Sequence, residues 1–480
     1  MDRIDEQVKS AAERLNAGDL AAVERIGREL LATAPRNTNA LRLMGAVMRK
    51  QGHLDQSLDF FRQALRLNDR KGLLHFELGT AYTELQRSEE AYECYFKAVQ
   101  LDPTLQPAFV NLSAIMEQHE RFDEAIDWAE KAIALKPDCG LAHYNLANAQ
   151  RELGQLPAAI ESYTKALRFK PDHAKTFWNL GICHLLAGNF GEGWPLFERR
   201  HDAQEVFFDH YPQPRWDGSS LAGKTIVVHA EQGIGDEILF ASCFPDLMPL
   251  AKRCIFVCDP RLERLLTRSF PQAGVYGHLR RKDWSPPALP EPFDVQTPAG
   301  SLPLHFRLSP ESFPRRERFL EVDPQLLAMW RSRLAAIGPG LKIGISWRAG
   351  GKPLESRKRT ISLDQWGEIF AVPGTHFVNL QYGDASAEIA DTRSLFGVEI
   401  HDWEEGDPLI DVDGFAAKIA ALDLVISVGN ATVHVAGAVG TPSWTLLPMV
   451  PSWRWMISGE ANPWYGNVRL FRQSSPGDWQ

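Results

Sequence analysis

Nowhere in these 480 residues is there an apolar run of the roughly 18 residues that a membrane-crossing helix needs. Cysteine is sparse: six residues, at 94, 139, 183, 243, 254 and 258, with no CxxC pair. Cys254 and Cys258 share one predicted strand, about 13 Å apart at ~3.3 Å per residue, which is too far to bridge. This excludes a disulfide scaffold and points to a reduced, cytoplasmic protein. Basic charge is in deficit: the formal net charge of −9 argues against nucleic acid as the main partner. There is no HExxH, no histidine pair at metal-ligand spacing, no P-loop lysine motif and no GxSxG. The opening stretch MDRIDEQVKSAAERL is charged and helical in pattern and carries no secretory apolar region.

What is present begins with a repeat. Gly45, Gly79, Ser113, Ala147 and Gly181 are each 34 residues apart. So are Ala64, Ala98, Ala132 and Ala166, and Pro35, Pro103, Pro137 and Pro171 fall on the same grid. Gly52, Gly154 and Gly188 mark a turn within each unit. Small residues where two helices cross, with a proline closing each unit, define the tetratricopeptide period. Residues 4–37 fit as a degenerate first unit, giving about six units in an α-solenoid with a concave groove. Asn111, Asn145 and Asn179 hold one position in three successive units. If that position faces the groove, their amides form a ladder that can bind the backbone of an extended peptide acceptor; otherwise they are solvated. The linker Phe207–Ser220 is rich in proline and aromatics and is expected to be packed.

Beyond the linker the pattern changes to α/β. Ile226–Leu247, IVVHAEQGIGDEILFASCFPDL, reads as a strand, a glycine-bearing turn and a helix. Gly233 and Gly235 allow close backbone approach to a ligand, and the helix start offers free N–H groups to an anion. Asp236 either caps that helix or works on the ligand. Further strands are expected at Cys254–Cys258, Phe293–Gln296, Leu341–Trp347, Thr375–Gln381, Asp423–Ser427 and Ser443–Leu447. Helices are expected at Arg261–Ser269, Asp323–Ile337, Leu363–Phe370, Asp413–Leu422 and Thr432–Val439. This arrangement predicts two Rossmann-like domains facing across a cleft. The boundaries read as 1–205 for the repeats, 206–318 for the first α/β lobe and 319–480 for the second.

Two stretches of the second lobe suit an anionic ligand. Arg348, Lys352, Arg357, Lys358 and Arg359 form a basic loop after a strand, where guanidinium groups can grip a phosphate. Val428–His434 repeats the strand, glycine loop and helix pattern, so that Asn430, Ala431 and Thr432 lie at a helix start and His434 in its first turn. The solvated loop and the packed histidine are the alternatives. Asp411-Val412-Asp413 matches a DxD that can hold a divalent ion, but Asp413 sits where a helix N-cap belongs, so no metal site is assigned.

The stretches HAEQGIGDEILFA, KIGISWRAG, RKRTISL, ALDLVISVGNATVHVAGAVGTP, WRWM and PWYGNVRLFRQ together carry a resemblance. From Gly193 to Gln473 the chain resembles a bacterial family of tetratricopeptide proteins with a glycosyltransferase domain. That family is related to ADP-heptose:lipopolysaccharide heptosyltransferases and includes flagellin glycosyltransferases. The resemblance implies a GT-B fold, a nucleotide-sugar donor held mainly in the second lobe, no metal or other cofactor, and inversion at the sugar. It implies a catalytic aspartate at Asp236. The asparagine ladder resembles that of O-GlcNAc transferase, although Leu43 and Glu77 stand at its first two positions. Where the relatives read Asp-Thr, this chain has Gly429-Asn430.

The expected function is a cytoplasmic protein O-glycosyltransferase whose repeats capture the acceptor. Asp236 would act as base, with Arg359, Arg357 and the helix start Ala431–His434 stabilising the departing phosphate and Arg348 helping to bind the donor. The alternatives are an adaptor whose transferase lobe has lost turnover, and a transferase acting on a lipid-linked glycan. The last is disfavoured by the absence of a basic amphipathic helix.

Overall fold

The computed structural model describes residues 2–203, 206, 210–279, 285–351 and 353–479. The chain forms two compact units, Met1–Thr176 and Phe177–Gln480. The division falls inside the helix Ala174–Leu186, one helix pair earlier than the sequence boundary at 205.

The first unit is an α-solenoid of antiparallel helix pairs, from Asp2–Asn16 to Leu156–Phe169. The 34-residue grid is the crossing line of its helices. A Cβ on Gly45 would lie 2.7 Å from the Phe61 ring, and one on Gly79 would lie 2.9 Å from the Tyr95 ring. Ala64, Ala98 and Ala132 are fully buried at the matching position of the second helices. The turn between paired helices needs a left-handed residue. Gly18, Gly52 and Gly154 supply it with φ near +80°, whereas Gln86 and Glu120 adopt φ of 59° and 57° at the same register. Gly18 thereby marks the degenerate first repeat.

The second unit opens with the helix pair ending at Phe190–Phe197 and continues into two all-parallel sheets. The first holds β1 (Thr225–His229), β2 (Arg253–Cys258), β3 (Gly274–Gly277) and β4 (Val295–Pro298) in the order β3-β2-β1-β4. The second holds β5 (Leu341–Ser346), β6 (Thr375–Asn379), β7 (Ile400–His401), β8 (Leu424–Val428), β9 (Ser443–Leu447) and β10 (Val468–Arg472). Its order is β10-β9-β8-β5-β6-β7. Each sheet reverses direction beside its first strand, so each has a crevice there, between β1 and β4 and between β5 and β8. Both glycine stretches singled out in the sequence lie at these two switch points.

Several expectations need correction. The basic loop is in part a helix, Pro353–Arg359; Lys352 lies outside the described residues. The N-cap at the DxD is Asp411, which accepts the Gly414 N–H at 3.0 Å, not Asp413. Asp413 is buried and accepts two hydrogen bonds from Arg268, at 2.7 and 2.8 Å. The helix Ser386–Phe396 and strands β3, β7 and β10 escaped sequence reading. Of the linker, 207–209 lie outside the described residues; Trp216 is buried and its N–H joins the Gln296 carbonyl beside β4 at 2.8 Å.

Candidate functional site

After β1 the chain turns through Glu231-Gln232-Gly233. Gln232 takes a left-handed φ of 62°, and the helix Ile234–Ala241 begins at once. Asp236 is the third residue of that helix and its carboxylate accepts the Gly233 N–H at 3.4 Å, closing a capping box. The same carboxylate pairs with Arg454, from the loop after β9. Arg454 also donates to the Gln232 side-chain oxygen at 3.0 Å and to the Ser452 hydroxyl at 2.8 Å, with its guanidinium 4.6 Å over the Trp453 ring. Both alternatives for Asp236 are therefore occupied at once: it caps its helix, and it faces a charge from the other sheet.

Beneath this pair the two helix starts meet. Gly235 lies so close to the helix Ala431–Val439 that a Cβ there would be 2.9 Å from the His434 ring and 3.4 Å from the Ala431 backbone. His434 is buried, stacks on Trp455 at 5.0 Å and shares a 3.0 Å hydrogen bond with the Tyr465 hydroxyl through Nδ1. Burial, helped by the nearby Arg454 and opposed by Asp236, pushes its pKa down to about 4, so the ring is neutral at neutral pH. Gly233, Gly235, Ala431, Thr432, His434 and Asp236 are thus brought together.

The remaining predicted residues form a web behind that point. Asn430 caps its helix by accepting the Thr432 N–H at 3.0 Å. Its amide nitrogen donates to the Ser346 hydroxyl at 2.8 Å and the Arg348 carbonyl at 3.0 Å, tying the ends of β5 and β8. Arg359 spans the same gap, donating to the carbonyls of Gly429 at 3.1 Å and Gly350 at 2.6 Å. Arg348 turns to the Glu388 carboxylate at 3.1 Å and the Asp384 carbonyl at 3.0 Å, while Arg357 is exposed. A Cβ on Gly429 would meet the Trp455 indole nitrogen at 3.0 Å and Leu447 at 3.3 Å, so the indole fills the space that an acidic side chain needs.

The asparagines of the ladder make contacts within the protein. Asn145 is buried and donates its amide to the Val110 carbonyl of the preceding repeat at 3.0 Å, and Asn111 hydrogen-bonds the Tyr95 hydroxyl. Both contacts lie within the array, and Asn111 is half-buried. Asn179, in the second unit, is buried.

Sequence reasoning passed over Gln232, Arg454, Trp455 and Tyr465. The signal for the last three was an arginine between two tryptophans in Trp453-Arg454-Trp455 and the compact Pro463-Trp464-Tyr465. A further support was invisible in the sequence: Arg200 and Glu231 are fully buried and paired at 2.9 Å. Arg200 also donates to the Ser301 hydroxyl at 2.9 Å, and Gly300 is where it is because a Cβ would lie 1.8 Å from the Glu231 carboxylate. This pair fixes the residue next to Gln232.

Comparison with known proteins reaches the repeats first. The tetratricopeptide repeat family matches residues 74–105 and 140–173. The chain carries tetratricopeptide repeats. It is similar to protein FlbA of Caulobacter vibrioides, 36% identical over 308 residues, which is 62% of this chain and 51% of FlbA. It is also similar to the protein O-mannosyl-transferase TMTC1 of Mus musculus, 31% identical over 102 residues, 20% of this chain and 11% of TMTC1. The chain thus spans about half the length of the first of these relatives and far less of the second. Among solved structures, the crystal structure of MamA is similar at 21% identity and a TM-score of 0.31, covering 34% of this chain and 96% of MamA. Among the described residues no helix is long and apolar enough to cross a membrane.

Proposed function

We propose that this repeat protein is a protein O-glycosyltransferase of the GT-B type, moving a sugar from a nucleotide-sugar donor to a serine or threonine hydroxyl of a protein held by its repeats. The observation that carries the reading is the meeting of Asp236, from the first sheet's glycine turn, with the helix start Ala431–His434, from the second sheet's. The donor's phosphates would lie at that helix start, where N–H groups and the helix dipole favour negative charge. Asp236 would take the proton of the acceptor hydroxyl as its oxygen bonds to the sugar carbon. The bond from that carbon to phosphate oxygen breaks, and the nucleoside diphosphate leaves with the electron pair. Arg454 would orient the carboxylate. The similarity to the protein O-mannosyl-transferase TMTC1 is consistent with transfer of sugar to protein, and the resemblance to flagellin glycosyltransferases makes a flagellin the first acceptor to try.

The test is transfer of labelled sugar from a panel of nucleotide sugars to candidate proteins by the full chain and by Asp236→Asn. Transfer that Asp236→Asn removes supports the proposal; nucleotide-sugar binding without turnover on any acceptor refutes it. One observation favours the adaptor reading: Asn430, Arg348 and Arg359 all hydrogen-bond the protein itself, and Gly429 brings no carboxylate. On that reading the panel gives neither transfer nor hydrolysis.

A further inference from the structure

At the carboxyl ends of β6 and β7, beside the β5–β8 crevice, lies a cavity of about 460 Å³ that none of the site residues above lines. Lys418 lines it from the helix Val412–Ala420. This lysine is 3% exposed, and among the described residues no hydrogen bond or ion pair reaches it; its ammonium lies 5.2 Å from the ring of Trp330 and 5.8 Å from that of Trp403, with the carboxylates of Asp402, Asp407 and Glu405 attracting it from further off. A buried ammonium without an acceptor is costly and is retained where something else supplies one. Asp402 also lines the cavity, exposed, with one carboxylate oxygen accepting from the Asn379 amide at 2.9 Å. Phe415 and Trp403 give apolar wall, and Ile410, 78% exposed, stands at the rim as an apolar side chain with nothing over it.

The cavity therefore offers apolar surface, one lysine and the carboxylates of Asp402, Glu404 and Asp407, of which Asp402 is held by Asn379. In a doubly wound sheet the ends of the two strands beside the first are where the nucleoside of a bound nucleotide lies when its phosphates occupy the switch point. Among bases, the demand is specific. A lysine pairs with O6 and N7 of guanine. A carboxylate can take two adjacent N–H groups, N1–H and N2–H, which guanine alone presents side by side. Adenine and cytosine place a bare ring nitrogen next to the amino group, where a carboxylate repels it. Uracil has a single N–H between two carbonyls. We propose that this cavity is a guanine site, Lys418 reading O6 and N7 and Asp402 the N1 and N2 edge, so that the donor is a GDP-sugar; the inference rests on the reading of the second sheet as the donor lobe.

The experiment is calorimetric titration of the full chain with GDP, ADP, UDP and CDP, repeated with Lys418→Met and Asp402→Asn, each checked for folding by circular dichroism and melting. GDP is expected to bind at least tenfold more tightly than the other three. Both substitutions should reduce GDP affinity by tenfold or more, bringing it level with the others, because a site built around polar groups discriminates by what it leaves unpaired. If another nucleotide binds best, or the GDP preference survives Lys418→Met in a folded protein, the guanine site is overturned while the transferase reading stands. If GDP preference is present and lost in both variants but no GDP-sugar is turned over, the guanine site stands and the transferase reading falls. If none of the four binds, both fall.

Discussion

Arg454 and Asp236 lie 218 residues apart in sequence and form one ion pair, joining the loop after β9 to the helix after β1. A carboxylate so held is oriented before any ligand arrives. Asp236→Asn is expected to leave nucleotide affinity intact and to lower transfer by roughly 10²–10⁴, the range for loss of a general base. Arg454→Ala should lower transfer as well, with Arg454→Lys intermediate, since lysine keeps the charge but loses the second bond, to Gln232. Single-turnover kinetics check both. Full activity in Arg454→Ala would mean that the arginine is only a tie between the sheets.

Neighbouring glycines in the turn should behave differently. The nearest atom to a Cβ on Gly233 is the Asp236 carboxylate at 3.9 Å, whereas a Cβ on Gly235 would sit 2.9 Å from the His434 ring. That ring is fixed by Tyr465 and Trp455 and has little room to yield. Gly235→Ala is expected to cost about 1–3 kcal/mol as overpacking. Gly233→Ala should cost no more than about 1 kcal/mol, for a poorer N-cap. Urea denaturation of the two variants checks the order.

Three histidines of the second unit, His434 and His229 buried and His201 half-buried, are held in neutral form. Burial pushes His434 down to about 4, His229 to about 3 and His201 to about 2, from an ordinary value of 6.5. The unfolded chain binds these protons first, so their contribution is fully present above pH 6.5 and is lost as pH falls from there towards 2. Melting temperature should fall through that window, and His434→Gln should flatten part of the slope between pH 6.5 and 4. The transfer rate should show no limb near pH 6–7 assignable to His434.

Lys418 should leave the opposite signature. Burial lowers its pKa to about 8 from 10.5; Asp402, Asp407 and Glu405 oppose the fall and Arg333 adds to it. The cost of the buried charge is fully present below pH 8 and fades as pH rises towards 10.5. Lys418→Met is expected to stabilise the protein at pH 7 by on the order of 1–3 kcal/mol, after loss of the ring contacts, with the gain shrinking by pH 10. A destabilised variant at pH 7 would show that the tryptophan contacts outweigh the desolvation.

Most of the architecture was legible because it is written in periods. The spacing from Gly45 to Gly79 and from Ala64 to Ala98 follows directly from where helices cross, and the apolar runs at β1, β5 and β8 follow from burial on both faces of a parallel sheet. What escaped was short or set by tertiary context. β7 is two residues long, and Gln86 and Glu120 take left-handed turns that sequence assigns to glycine. The sites were half legible. Glycine turns announce themselves, but the partners of a side chain do not: nothing in the sequence says that Asn145 spends its amide on Val110, that Arg348 turns to Glu388, or that Trp455 stands where a residue 429 carboxylate would go.

The buried pair of Arg200 and Glu231 bears on how such proteins can be rearranged. Arg200 ends the last repeat, while Glu231 begins the glycine turn; without Arg200 the Glu231 carboxylate would be left uncompensated in the interior, at a cost of about 3–5 kcal/mol, whereas Arg200 without Glu231 would keep only Glu198. Repeats can be gained, lost or exchanged between chains anywhere ahead of residue 177 without touching that pair. A graft made at the apparent linker, at 206, would separate them. The final helix pair therefore goes with the sheets in any such exchange, and the number of repeats ahead of it is free to change.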